Sequence, residues 1–159
     1  EITGVWPALW MMPEKSVYGN WPRSGEIDIV ETINEKSDEL VTTIHYGHDY
    51  HRQISKTTFL NQLTKLSNPI DHNKISLIWE DKYFEWFLND QLVFKVNFNE
   101  VENLEPNPFL EEFYLLINVA VGGNWPGTPN STMYCNSRKS CPDVKKLIVD
   151  YIAYYEKIN

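Results

Sequence analysis

Hydrophobic and polar positions along the chain alternate in short runs, and no segment sustains a 3.6-residue period. The strongest alternation is Glu26-Ile27-Asp28-Ile29-Val30-Glu31, where three carboxylates interleave with apolar residues. Further runs predict strands at about 40–46, 51–60 (weaker and polar), 74–80, 83–88, 91–98, 113–121 and 146–155. Val5 to Met12 predicts a buried strand interrupted at Pro7, and one so apolar at residue 5 implies that something N-terminal pairs with it. Asn89-Asp90 is a two-residue hairpin signal. Phe113 to Val121 is continuously apolar and bounded by Gly122-Gly123, as for a strand buried on both faces. Residues 13–25, 100–112 and 122–143 carry Gly, Pro or both and read as loops, the second holding at most one helical turn. Many short strands at regular spacing predict an all-β antiparallel sandwich in a single domain spanning 1–159.

The acidic strand breaks its own period. Glu26 and Asp28 share a face, but the third acid falls one place late, at Glu31. A β-bulge near Val30 absorbs one residue and returns Glu31 to that face. Four strand steps then separate the two Glu Cα atoms by roughly 13 Å. Side chains leaning together bring the carboxyl groups to about 5 Å, the spacing of a retaining glycosidase. A solvent-facing polar stripe is the plainer alternative, although three acids with no base on one face repel one another. A divalent-cation site is a third reading.

Composition narrows the partners. A net charge of −8 without a basic stripe argues against nucleic acid, and no apolar run reaches a membrane span. Six Trp, nine Tyr and seven Phe, several beside Gly, Pro or Asn, supply flat surfaces on which sugar rings stack. Cys135 and Cys141, five residues apart, favour a local disulfide over two free thiols. Asn130-Ser131-Thr132 matches the N-glycosylation pattern, and together these features favour a secreted protein. A signal peptide is absent from the sequence, which fits a mature chain or a fragment.

Trp6-Pro7-Ala8-Leu9-Trp10-Met11, Trp21-Pro22-Arg23-Ser24-Gly25 running into the acidic strand, His45-Tyr46-Gly47, Asn118 to Gly127 with its Gly-Gly-Asn-Trp-Pro-Gly loop, and Val149-Asp150-Tyr151 form an ordered set. This set resembles the laminarinase-like branch of glycoside hydrolase family 16, the endo-β-1,3-glucanases, and the bulged spacing of the acids resembles that branch in particular. The resemblance implies a concanavalin-like β-jelly roll with a glycan cleft on its concave face, and retaining hydrolysis of β-1,3-glucan or mixed β-1,3/1,4-glucan. It implies Glu26 as nucleophile, Asp28 as orienting acid and Glu31 as general acid/base. Trp10, Trp21 and Trp125 match sugar-stacking tryptophans, and Arg23 and His45 match substrate-binding polar residues. No cofactor is required, but Asp150 matches a position where some members ligate a structural calcium ion.

Trp6 is expected in the core, and Trp79 and Trp86 in the core or on the convex face. Family members carry strands ahead of the Trp-Pro-Ala segment, so the N-terminal part of the same domain is an expected partner beside the β-glucan. Two other functions remain on this fold: a non-catalytic β-glucan-recognition protein, and a storage or structural protein. The intact glutamates count against the first of these.

Overall fold

The computed structural model describes residues 3–33, 38–62, 72–129 and 147–157. Among these residues eight strands form: β1 (Val5–Pro13), β2 (Glu26–Glu31), β3 (Glu39–Tyr46), β4 (Arg52–Phe59), β5 (Ile75–Glu80), β6 (Tyr83–Leu88), β7 (Gln91–Asn97) and β8 (Phe113–Val121). They make two antiparallel sheets, ordered β4-β3-β2-β1-β8 and β5-β6-β7. Single 3-10 turns at Leu60–Gln62, Phe98–Glu100 and Pro108–Leu110 complete the described elements. The all-β sandwich read from the alternation is the observed architecture.

Alternation decides which face each residue takes. On β2 and β3, Ile27, Ile44 and Tyr46 turn toward the smaller sheet and meet Phe84, Trp86, Val96, Phe98, Leu104 and Phe109 in one core. Ile27, Ile44, Phe84, Trp86 and Phe109 are fully buried. Trp79 packs against this cluster and donates its indole N–H to the Phe109 carbonyl at 2.9 Å, as expected of a structural tryptophan. The β6–β7 hairpin turns at Asn89 and Asp90 with φ of 49° and 67°, the left-handed pair that a two-residue primed turn requires.

β1 lies between β2 and β8, which take both of its ladder edges, so the expected N-terminal pairing partner has no edge of β1 to join. Three further expectations are corrected. Pro7 does not interrupt β1, which runs through it. The carbonyl of Pro7 accepts from Thr32 N, beyond the last β1–β2 pair, Ala8 with Glu31. The amide hydrogen it lacks would point to that same side, toward β2, so the ladder between β1 and β8 loses no bond at Pro7.

β8 is not buried on both faces. Among the described strands it is one edge of the five-stranded sheet, and Leu115, Ile117, Val119 and Val121 are exposed. At about 4.8 Å per strand, three strands span roughly 14 Å and cannot cover a five-stranded sheet roughly 24 Å wide.

The third correction concerns residues 147–157, which form no strand, although their alternation predicts one. Leu147, Ile148, Val149, Tyr151 and Ile152 are exposed, and no described strand pairs with the segment. A strand needs a ladder partner, and periodicity alone supplies none. Cys135, Cys141 and Asn130 lie outside the described residues.

Candidate active site

The bulge is where the acid spacing places it. Asp28 pairs with Thr43 and Glu31 with Val41, so Ile29 and Val30 together oppose Thr42. Glu26 pairs with His45, and the partners His45, Thr43 and Val41 alternate along β3. Glu26, Asp28 and Glu31 therefore share the face opposite Ile27 and the core. Two residues pressed into one ladder position convert a misaligned acid into the third member of a row.

The row is partly withdrawn from water. Asp28 is only 1% exposed, which matters because a carboxylate without solvent must be hydrogen-bonded or protonated. Asp28 shares a hydrogen bond with Glu26, and its Oδ2 lies 3.0 Å from His45 Nε2. Burial, then the neighbouring Asp28 charge, push Glu26 and Glu31 each up to about 7. Burial also raises Asp28 to about 7. The three titrate as one coupled group, with protons distributed among them near neutral pH. Burial shifts His45 the other way, downward, which favours its neutral form.

Two indoles hold the two glutamates. Trp21 Nε1 donates to Glu26 Oε2, and Trp6 Nε1 donates to Glu31 Oε1 at 2.9 Å. The second contact corrects the expectation that Trp6 is a core residue. β1 carries Trp6 on the acid face, where its ring meets Trp125 edge-on at 5.2 Å between centroids. Trp125 and Trp21 are exposed. Trp10 lies on the same face and donates its Nε1–H to Asn118 Oδ1 at 2.7 Å. Four tryptophans thus surround the acids, from three separate parts of the chain.

Arg23 donates through Nε to the His48 carbonyl at 2.9 Å, which joins the loop before β2 to the β3–β4 turn. That turn delivers a residue the sequence did not single out. His51 Nε2 lies 2.7 Å from His45 Nδ1, and its ring sits 4.6 Å from Trp21. Six positions separate it from His45 along the chain, across a turn at Gly47, so no strand period points to it.

Glu26, Asp28 and His45 offer three donor atoms within 4.8 Å of one another, the only such cluster among the described residues. Asp28 Oδ2 has no aligned hydrogen bond among the described residues, although His45 Nε2 lies 3.0 Å from it. An imidazole nitrogen that carries its hydrogen on that side has no lone pair for a metal. Asp150 is exposed and lies outside this cluster.

The family model for the XgeA-like catalytic GH16 domain matches residues 1–77. The chain is 35% identical over 172 residues to glucan endo-1,3-beta-glucosidase A1 of Niallia circulans, covering 97% of this chain and 22% of that one. It is 35% identical over 128 residues to a glucan endo-1,3-beta-glucosidase of Cryptopygus antarcticus, covering 77% and 47%. Among solved structures, the laminarinase catalytic domain of Thermotoga maritima MSB8 superposes with a TM-score of 0.71 at 30% identity, covering 84% of this chain and 53% of that one. The chain thus spans about half of the last two relatives and less of the first.

Proposed function

Because the chain belongs to glycoside hydrolase family 16, we propose that the protein cuts β-1,3-glucan of the laminarin type, or mixed β-1,3/1,4-glucan, internally and with retention of configuration. The observation that carries this reading is the bulge at Ile29-Val30, which sets two glutamates on one face, each held by an indole N–H.

In this reading Glu26 attacks the anomeric carbon while Glu31 gives its proton to the departing glycosidic oxygen. The C–O bond to the leaving sugar breaks as the bond to Glu26 forms. Glu31, now ionised, takes a proton from water, and that water displaces Glu26 from the anomeric carbon. Asp28 orients Glu26 through their shared hydrogen bond. Trp21, Trp10 and Trp125 stack on sugar rings and Arg23 binds hydroxyls, whereas both ring nitrogens of His45 already face protein partners, Asp28 Oδ2 and His51 Nε2.

Three further proposals accompany the enzyme. Additional strands of the same domain cover Leu115, Ile117 and Val119 on the open face of β8. The protein works outside the cell, with Cys135 joined to Cys141 and Asn130 glycosylated, which peptide mass spectrometry without reduction would reveal. Asp150 contributes to a structural calcium site, for which a chelator-dependent fall in melting temperature is the check.

Incubating the full-length protein with laminarin tests the main reading. New reducing ends, with the β-anomer appearing first by proton NMR, are expected. Glu26→Gln should abolish release, and Glu31→Gln should spare substrates with good leaving groups. Binding to laminarin without any release of reducing ends would sink the enzyme reading and leave glucan recognition in its place.

A further inference from the structure

His45 is held between two partners. Its Nε2 faces Asp28 Oδ2 at 3.0 Å, and its Nδ1 faces His51 Nε2 at 2.7 Å. The imidazoles of His45 and His51 lie 5.0 Å apart and nearly parallel, and Trp21 sits over His51 at 4.6 Å and beside His45 at 5.8 Å. Trp21 in turn donates to Glu26. The residues therefore close a ring of contacts, from Glu26 to Asp28, His45, His51, Trp21 and back to Glu26.

The donor and acceptor inventory fixes the hydrogens in that ring. Asp28 already shares one hydrogen bond with Glu26, and its buried Oδ2, which has no aligned hydrogen bond among the described residues, needs a donor, His45 Nε2 being 3.0 Å away. Neutral His45 meets the need only with its hydrogen on Nε2, which leaves Nδ1 bare and requires a donor facing it. His51 supplies that donor with its hydrogen on Nε2. We propose that His51 is a positioning residue, whose Nε2–H holds neutral His45 in the tautomer that turns its own Nε2–H toward Asp28. This rests on the reading of Glu26, Asp28 and Glu31 as the catalytic group.

Charges around His45 determine its protonation once His51 is removed. Glu26 and Glu31, both on β2, favour the imidazolium, and burial opposes it. Asp28 faces its Nε2. From β4, the neighbouring residues Gln53 and Ser55 carry no charge. In the loop before β2, Arg23 is engaged with the His48 carbonyl. With the donor gone, the Nδ1 lone pair is free to take a proton. A positive His45 lowers the proton affinity of both Glu26 and Glu31. The acid then loses its proton at lower pH, and the alkaline limb of kcat/KM moves toward acid.

The experiment compares wild type, His51→Phe, His51→Gln and Glu26→Gln in the full-length protein with laminarin as substrate. Phe keeps the stacking on Trp21 without a donor, whereas the Gln amide nitrogen restores one at the position of Nε2. His51→Phe should lower kcat roughly tenfold, about the loss of one hydrogen bond to a partly charged group, and shift the alkaline limb to lower pH. His51→Gln should restore both. Imidazole nitrogen NMR of the wild type at pH 8 should show His45 protonated on Nε2 and bare on Nδ1. A wild-type profile and kcat in His51→Phe, or a change in KM alone, would overturn the inference, as would a protonated Nδ1 on His45 whether or not the variants fold. An inactive Glu26→Gln beside an unaltered His51→Phe overturns this inference alone, and full activity in Glu26→Gln overturns the catalytic reading with it.

Discussion

Trp6 donates its indole N–H to Glu31 at 2.9 Å, across the boundary between β1 and β2. Trp21 makes the same kind of bond to Glu26 from the loop before β2. The two glutamates have different proposed duties, one attacking and one giving a proton, yet each is oriented by a rigid donor that cannot accept. An indole favours the ionised form of a carboxyl and opposes the effect of burial.

Trp6→Phe removes that donor and keeps the aromatic surface against Trp125. Glu31, already raised to about 7, should rise further, because the Trp6 bond is one of the influences lowering it. A proton held more firmly stays on the acid to higher pH, so the alkaline limb of kcat/KM should move upward. The rate at the optimum should fall about three- to tenfold from lost orientation. A pH profile on laminarin decides the matter, and an unmoved alkaline limb would show that Glu31 does not feel this indole.

Stability should carry the same signature with the opposite sense to that of salt-bridged acids. Glu31 titrates at about 7 when folded, against about 4.3 in an unfolded chain. Between these values the folded state binds more protons, so stability is greatest below the unfolded pKa and declines as pH rises through 7. Glu31→Gln removes this ionisation cost. Its melting temperature should exceed that of wild type at pH 8, and the advantage should shrink toward pH 4. Scanning calorimetry at the two pH values checks it, and an equal difference at both would contradict a raised Glu31.

Much of the site is legible in the sequence because strand geometry is local. The one-residue offset between Asp28 and Glu31 predicts a bulge, and the bulge is there. Asn89-Asp90 predicts a tight hairpin, and both residues take positive φ. Trp6 is placed wrongly from sequence because an apolar residue in an apolar run looks the same in a core and in a cleft. Its face is decided by pairing with β2 and β8, and its partner on β8, Ala120, lies 114 positions away. His51 is the first residue of the predicted polar run 51–60 but lies just ahead of β4, and it meets His45 only across the turn at Gly47, a contact no strand period encodes. Residues 147–157 show the converse: alternation is present, but a strand also needs a neighbour with free ladder groups.

Asp90 offers a test of the hairpin. Its φ of 67° suits glycine better than a side-chain-bearing residue, and Asn-Gly is the favoured pair for such turns. Asp90→Gly should stabilise the protein by about 1 kcal/mol through relief of the left-handed strain. The ion pair it removes, Lys74 with Asp90, joins two exposed side chains and contributes little. Urea unfolding should show a higher midpoint with an unchanged slope, and a lower midpoint would mean that the ion pair outweighs the strain.

Trp86 makes the core measurable. It is fully buried on β6, between Phe84 at 5.3 Å and Phe94 at 5.2 Å, and its indole nitrogen has no hydrogen-bond partner among the described residues. Two costs therefore act against each other when it is replaced. Trp86→Ala empties a large volume and should cost about 3–5 kcal/mol. Trp86→Phe also leaves a gap, but it removes a buried donor whose isolation costs roughly 1–3 kcal/mol. The net effect of Phe should therefore lie within about 1 kcal/mol of wild type, since the two contributions are similar in size and opposite in sign. Urea midpoints of both variants separate the contributions. A loss for Phe approaching that for Ala would show that the indole nitrogen is satisfied in the full-length protein, by water or by chain beyond the described residues.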